Sequence, residues 1–334
     1  MTKNSKLSDI AKLAHVSEST VSRALSGSQL VNEKTRARIK KIAAELNFTV
    51  NTAARNLRLQ KSNTIAIMLR IDSTEDQSAS DPFILSLMGV VADELRSIGY
   101  DLLLMSDECN EPLWVKNLFD SKRADGLIIF GQGDNSYPDI HYSDRPIVVW
   151  GERDEMAPYP TVGTDNFLGG KLATQHLLEQ GCRNIAFAGR LSYETGARFE
   201  GYKAALKAAG LHYSQHLDVH FTYTDGHAVA ESLAQQNSFH YDGIVAASDS
   251  IALGMIKALR ARNIGVPDDV AFVGYDDISV AGFTHPSLST IRQDTQAGGV
   301  KLVHMLKDMM AGEKVSSVVL PTELIVRESS HRSR

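Results

Sequence analysis

The chain has 334 residues, 43% hydrophobic and 22% charged, with a formal net charge of −5. That length exceeds one ordinary hydrophobic core and implies two or three domains, and no apolar run reaches the length of a membrane span, so no membrane partner is expected. The start, Met1-Thr2-Lys3-Asn4-Ser5-Lys6, lacks the apolar core of a secretion signal and Cys109 and Cys182 stand outside any metal-ligand spacing, so the expectation is a cytoplasmic protein without cofactor or metal.

Residues 7–25 read as helix, tight turn, helix. Leu7, Ile10, Ala11 and Ala14 recur at helical spacing. Ser17 is placed to cap the second helix, whose inward face carries Val21 and Leu25. Its other face offers Glu18, Ser19, Ser22 and Arg23, the polar N-terminal surface of a helix that enters a DNA major groove. A third helix runs from Asn32, its cap, to about Leu46, with Val31, Ile39, Ile42, Ala43 and Leu46 buried. Thr35, Arg36 and Arg38 are then placed to reach backbone phosphates. Charge agrees: residues 1–61 hold 12 Lys and Arg against 4 Asp and Glu, a balance of +8, while the remainder carries −13. The plainer alternative is that the basic stretch is only a solvated face. Residues 51–61 form a short basic linker whose apolar side chains are few beyond Leu57 and Leu59; alone, such a helix is marginal.

From Thr64 onward short apolar runs alternate with amphipathic helices. The strands read are Thr64–Leu69, Tyr100–Met105, Gly126–Phe130, Pro146–Trp150, Asn184–Ala188, Gly243–Ala247 and Val270–Tyr275. Helices are expected at Phe83–Ile98, Asn166–Gln180, Ala197–Ala209, His227–Gln236, Ile251–Arg262 and Thr295–Met310. This alternation predicts an α/β chain: an all-α N-terminal helix-turn-helix domain, then two doubly wound parallel-sheet subdomains. A ligand would sit at the carboxyl ends of the strands, in the cleft between them.

Several motifs, in this order, resemble the lactose repressor family of bacterial transcriptional regulators over nearly the whole chain. They are Val16-Ser17-x-x-Thr20-Val21-Ser22-Arg23, Asn51-x-x-Ala54-Arg55-x-Leu57, Asp81-Pro82-Phe83 and Val162-Gly163-Thr164-Asp165-Asn166. Further on come Arg198-x-x-Gly201-Tyr202, Ala247-Ser248-Asp249, Val273-Gly274-Tyr275-Asp276-Asp277 and Leu288-Ser289-Thr290-Ile291-Arg292-Gln293.

The resemblance implies a DNA-binding domain over 1–50, a hinge-helix linker over 51–61 and an effector-binding, dimerising core over 62–334 whose architecture is like that of periplasmic binding proteins. Its first subdomain would span about 62–162 and 292–317, its second about 163–291 and 318–330. Glu18, Ser19 and Arg23 match base-contacting positions. Arg23 suits guanine, and Glu18 either reads a cytosine amino group or merely lies near the groove. Ser17, Thr20, Ser22, Asn32, Thr35 and Arg36 complete the DNA-facing set. Asn51, Ala54 and Arg55 would brace the linker while Leu57 wedges into the minor groove, pairs with a second linker helix, or does both. His15 stands where relatives usually have Gly, at a turn position needing positive φ, and Val50 stands where many have Pro.

In the cleft the resemblance implies Arg198 and Asp276 gripping hydroxyl groups, Ser248 and Asp249 as a second polar wall, and Phe221 stacking on a sugar ring. Asp81, Phe83, Gln132 and Trp150 would face them from the other subdomain. Plainer roles stay open: Phe221 or Phe83 as core, Arg198 as a salt bridge between subdomains, Asp277 as structural. The expected partners are a palindromic operator duplex, a second copy of the chain and a saccharide, with a glucoside favoured. The expected output is a repressor released by its sugar, a corepressor-dependent regulator being the alternative. A cytosolic saccharide enzyme and a pure sugar-binding protein are the remaining readings. The enzyme lacks a Gly-rich phosphate loop, a Gly-x-Ser-x-Gly elbow and a metal set.

Overall fold

The computed structural model describes residues 6–25, 28, 30–46, 48, 61–70, 79–106, 113–131, 144–152, 159–212, 214–235 and 239–332. The chain divides into two compact units, Met1–Ser62 and Asn63–Arg334.

In the first unit α1 (Leu7–Ala14), α2 (Glu18–Leu25) and α3 (Glu33–Glu45) pack pairwise around Ile10, Ala14, Val21, Ala24 and Ile39, all without exposure. The turn between α1 and α2 is made by His15 in the left-handed region, at φ 49° and ψ 48°. A non-glycine residue there costs a little and is tolerated best by residues such as His or Asn. The cap of α2 is Ser17, whose Oγ accepts the Thr20 amide at 3.2 Å. Asn32 caps α3, its Oδ1 accepting the Thr35 amide at 2.8 Å.

In the second unit two six-stranded sheets repeat one order. The first runs β11-β5-β4-β3-β1-β2, from β1 (Thr64–Leu69), β2 (Asp101–Ser106), β3 (Gly126–Phe130), β4 (Ile147–Trp150), β5 (Thr161–Thr164) and β11 (Val318–Leu320). The second runs β12-β10-β9-β8-β6-β7, from β6 (Ile185–Ala188), β7 (Gln215–Leu217), β8 (Gly243–Ala246), β9 (Ala271–Asp276), β10 (Ser289–Arg292) and β12 (Glu323–Ile325). All pairings are parallel except β10 with β12. The central strands β3, β4, β8 and β9 are buried along their whole length, as continuous apolar runs must be when helices cover both faces. Helices α4 (Pro82–Ser97) and α10 (Thr295–Met310) pack together in the first lobe. In the second lobe α6 (Asn166–Glu179) pairs with α7 (Tyr193–Ala208), and α8 (Tyr223–Gln235) with α9 (Asp249–Ala261). A short helix, α5 (Trp114–Asp120), buries Trp114, Val115, Leu118 and Phe119 on the first sheet.

The chain passes between the lobes at three places: after Thr164, after Arg292 and after Leu320. The last differs from the expected cut before residue 318. Val318–Leu320 pairs with Val162–Thr164 in the first sheet, so the crossing follows that strand. The first expected cut, between 162 and 163, falls inside β5. Three helices start earlier than their apolar pattern suggests, at Tyr193, Tyr223 and Asp249 in place of Ala197, His227 and Ile251. Each opens with a polar turn that its cap stabilises before the apolar stripe begins: the Thr195 hydroxyl bonds Ser192, that of Thr222 bonds Asp225, and Ser248 Oγ accepts the Ile251 amide.

The pairing of α6 with α7 depends on glycine. A Cβ on Gly201 would stand 2.0 Å from the Phe167 carbonyl oxygen, and one on Gly170 1.9 Å from that of Arg198. Neither obstacle is a side chain that can rotate away. Gly201→Ala is therefore expected to cost about 1–3 kcal/mol through overpacking and to lower the calorimetric melting midpoint by several degrees. An unchanged midpoint would mean that the two helices can separate freely.

Candidate functional site

The outer face of α2 presents Glu18, Ser19 and Arg23 to solvent, with Ser17 beside them and Thr20 and Ser22 half-buried. Ser17 Oγ lies 2.8 Å from both the Ser19 and Thr20 hydroxyls, so the three form a local hydroxyl cluster at the helix start. Exposed polar side chains over the first turns of the second helix match a surface that reads base edges. Arg36 departs from its expected place. Its Nη2 donates to the carbonyls of Ser28 (2.7 Å) and Val31 (3.0 Å), bracing the turn before α3, and its Nε is buried. The half-buried guanidinium thus serves the unit's own backbone instead of projecting toward phosphate. The Thr35 amide is already tied to Asn32 by the cap, which fixes the first turn of α3. Asn51, Ala54, Arg55 and Leu57 lie outside the described residues, as does Gln132.

In the second unit the carboxyl ends of the strands gather a buried polar cluster around one guanidinium. Arg198, in the second turn of α7, is 7% exposed. Its Nε donates to Asn166 Oδ1 (2.8 Å), its Nη1 to the Ala247 carbonyl (2.6 Å), and its carbon lies 3.7 Å from the Tyr275 ring centroid. A cation held over an aromatic face and bonded on two sides is fixed in direction before any ligand arrives. Beside it Asp276 closes β9. Asp276 Oδ1 accepts from Gln293 Nε2 at 2.7 Å, and Gln293 Oε1 accepts from the Thr164 hydroxyl at 2.9 Å. Burial pushes the Asp276 carboxyl up to about 7; Asp81 adds to the rise, while Arg198 and Gln293 oppose it. Asp276 and Asp277 both have positive φ, 111° and 54°. Two consecutive strained residues persist only where the surroundings hold them. Here Asp277 accepts from Arg292 Nε (2.8 Å) and Arg327 Nη2 (2.6 Å), which makes it a structural clamp that turns the strand end so that Asp276 faces the cluster.

The first lobe brings Asp81, Phe83 and Trp150. Asp81 caps α4, its Oδ1 accepting the amides of Phe83 (3.0 Å) and Ile84 (3.2 Å), yet burial still raises its carboxyl above the ordinary range. The Phe83 and Trp150 rings pack with centroids 5.7 Å apart at 49°, each under 10% exposed. The Asp81 carboxylate of the first lobe is among the charges that raise Asp276 of the second.

Two expected positions differ from an open polar wall. Asp249 is fully buried: its Oδ1 accepts from the Thr290 hydroxyl (2.6 Å) and its Oδ2 from the Ile278 amide (2.9 Å). Ser248 caps α9 and is 2% exposed. Both hold the end of the second sheet in shape from behind. Phe221 is half-buried and packs against the core. Besides Thr164 and Gln293, sequence reasoning missed three members of the cluster. Asn166 bridges Arg198 and the Glu152 carboxylate. Tyr275 supports the guanidinium, and Glu152, two residues after Trp150, is pushed up to about 7 by burial, with Glu194 and Asp165 adding to the rise. Asn166 and Tyr275 stood inside quoted motifs, so position relative to a strand end was the available signal; nothing marked Glu152. A separate cavity of about 540 Å³ lies at the opposite end of the second sheet, among Arg260, Val266, His285 and His331, away from this cluster.

Comparison with known proteins shows the family. Residues 6–51 match the family described as bacterial regulatory proteins, lacI family, and residues 174–330 match a periplasmic binding protein-like domain. The HTH-type transcriptional regulator CelR of Thermobifida fusca is 33% identical, with 96% of each chain covered. The ribose operon repressor of Haemophilus influenzae is 30% identical, with 97% of this chain and 98% of that one covered. Among solved structures, a transcriptional regulator CelR–cellobiose complex aligns with TM-score 0.71 at 30% identity, over 97% of this chain and 99% of that one. A lac repressor dimer bound to operator has the same fold, with TM-score 0.81 at 24% identity over 98% and 99%.

The chain belongs to the lacI family of bacterial regulatory proteins. It is a DNA-binding transcription regulator, and its relatives are regulators, not enzymes. Among the described residues no helix is long and apolar enough to cross a membrane.

The raised carboxyls set a pH dependence. Asp276 and Glu152 hold protons in the folded protein up to about 7, whereas unfolded carboxyls release theirs near 4. Between those values the folded state binds more protons, so stability falls as pH rises from about 4 to 7. The melting midpoint is expected to be lower at pH 7.5 than at pH 5.5, and Asp276→Asn should flatten that slope. A midpoint that rises over this interval would contradict the burial of these groups.

Proposed function

We propose that this protein is a cytoplasmic repressor of sugar-utilisation genes, released from a palindromic operator when a saccharide binds in the cleft of its second unit. The buried set of Arg198, Asp276 and Asp81 with the Phe83–Trp150 pair carries the reading. Fixed carboxylates and a guanidinium suit hydroxyl groups, and aromatic faces suit the C–H side of a sugar ring. Several carboxyls against one guanidinium, itself bonded to Asn166 and Ala247, disfavour a phosphorylated effector. A cellobiose-bound relative supports a glucoside. In this reading residues 1–50 read DNA and residues 51–61 form a hinge helix, with Asn51, Ala54 and Arg55 on the backbone and Leu57 in the minor groove. The rest binds effector and pairs with a second copy. Dimer symmetry then mirrors operator symmetry.

A saccharide that binds the DNA-incompetent arrangement better must lower operator affinity, and its sign is measurable. The test is thermal unfolding with cellobiose, maltose, ribose, glucose 6-phosphate and hypoxanthine. At a hundredfold excess over Kd a ligand adds about 2.7 kcal/mol, a rise of several degrees, expected for a neutral glucoside and lost in Arg198→Ala. A shift with glucose 6-phosphate or hypoxanthine alone would overturn the neutral-sugar assignment. A sugar that tightens operator binding would make the protein corepressor-dependent.

At the DNA face, Arg23→Ala is expected to cost about 1–3 kcal/mol of operator binding and to relax preference at one base pair. Arg38→Ala should weaken all duplexes alike and make the salt dependence shallower. Gel-shift titrations against a duplex selected from a random library, at two salt concentrations, separate the two effects. Equal behaviour of both variants would remove Arg23 from base reading.

A further inference from the structure

The same aspartate-glycine step leads into a central strand of both sheets: Asp125-Gly126 at β3 and Asp242-Gly243 at β8. The two steps are in register, since Gly126 pairs with Ile65 of β1 and Gly243 with Ile185 of β6. Each aspartate clasps the chain that enters the neighbouring strand. Asp242 Oδ2 accepts the Arg183 amide and its Oδ1 the Asn184 amide, both at 2.8 Å. At the position equivalent to Arg183, Asp125 Oδ2 accepts the Asn63 amide at 2.8 Å. In the second lobe the clasped chain arrives from α6 of that lobe. In the first lobe it arrives from the linker read over 51–61, and Asn63 is the first residue of the second compact unit. Asn63 also differs in its backbone. Its φ is 51°, in the left-handed region, which Asn tolerates better than most residues. Its carbonyl accepts the Asp101 amide at 2.9 Å, and the Asp125 amide donates to the Thr64 carbonyl at 2.8 Å. The chain thus enters the core through a sharp turn held at both its N–H and its carbonyl.

We infer that Asp125, by clasping Asn63, fixes the direction in which the linker leaves the core and so sets the spacing of operator half-sites that the protein accepts. Asp125 is a positioning residue that acts through Asn63, and its role rests on the reading of two copies on a palindromic operator. The physical reason is geometric. In duplex DNA one base pair moves a half-site by about 3.4 Å along the axis and turns it by roughly 35°. Two linkers that start in fixed directions match one such displacement. Two that swivel match several, and each match then carries the entropy of ordering the swivel. A carboxylate accepts an amide roughly twice as strongly as a neutral oxygen does, so this one side chain is a substantial part of what holds the turn. Asp242 uses the same chemistry in the same register with no linker to aim, which separates aiming from strand stability.

The experiment is a gel-shift titration of the full-length protein against the duplex selected from a random library. Companion duplexes carry one base pair added or removed at the centre, and a last one carries a single half-site. The native protein should lose at least tenfold in affinity on either altered centre. Asp125→Ala should lose at least tenfold on the selected duplex, and its preference over the altered centres should shrink below threefold. Its affinity for the single half-site should stay within threefold of native, which shows that the reader is intact. Asp125→Asn should keep the spacing preference, because an amide oxygen still accepts the Asn63 N–H. Asn63→Val, which disfavours the left-handed turn and leaves the carboxylate in place, should lose the preference and keeps the test decisive if Asp125→Ala folds poorly. Asp242→Ala should lower the melting midpoint and leave the spacing preference at its native value. Equal loss of preference in Asp125→Ala and Asp242→Ala overturns the proposal and makes both clasps supports of stability alone. A native preference that survives intact in Asp125→Ala and Asn63→Val also overturns it. Failure of the palindrome reading looks different: the native protein itself binds the single half-site as tightly as the selected duplex, and the spacing role falls with it.

Discussion

Burying the Arg198 guanidinium is the constraint on which the rest of the second unit is organised. An arginine cannot shed its charge, so its removal from water must be offset by partners fixed in advance. Those partners come from three elements: Asn166 at the start of α6, the Ala247 carbonyl after β8 and the Tyr275 face on β9. Each lies at a strand's carboxyl end or a helix's first turn, so the doubly wound order, repeated in both sheets, gathers them. The close packing of α6 on α7, allowed by Gly170 and Gly201, sets the height at which Arg198 reaches the cluster.

Around that cation the protein places more carboxyls than it neutralises. Asp276 and Glu152 rise to about 7 because burial outweighs the single positive charge. A site in which several acids compete for one guanidinium is poised to respond to hydrogen-bond donors, which is what a polyol presents. The strained pair Asp276–Asp277 divides two tasks by direction. Asp277 turns away to Arg292 and Arg327 and holds the strand end, while Asp276 turns inward. The proposed binding role and the scaffolding role are thus separated by one peptide unit.

Much of this was legible in the sequence, and the reasons are physical. Buried parallel strands are unbroken apolar runs, so β1 and β3 could be bounded to the residue. Three-residue edge strands such as β7, β11 and β12 are too short to stand out: β11 is apolar throughout, Val318-Val319-Leu320, but so brief that the third lobe crossing was placed before it. Three helix starts, at Tyr193, Tyr223 and Asp249, were read late because caps are polar and the periodic stripe begins inside the first turns, while those at Asn166 and Thr295 were read as they are. In the site, residue type marked Arg198, Asp276 and the Phe83–Trp150 pair. It could not show that both oxygens of Asp249 are committed inside the lobe, or that Arg36 would fold back on the carbonyls of Ser28 and Val31. Those outcomes depend on which carbonyls and hydroxyls stand nearby, which only the packed chain decides.

The central claim is that the cleft and the DNA-reading face share one free-energy coupling. Linkage requires it to be reciprocal: a sugar that weakens DNA binding must itself bind DNA-loaded protein more weakly by the same factor. The most direct measurement closes that square by titrating the proposed effector, the panel sugar that raises the midpoint, into free protein and into protein saturated with operator duplex, and titrating the duplex with and without sugar. The account predicts two equal ratios of at least tenfold. A sugar affinity that does not change when DNA is bound would contradict it.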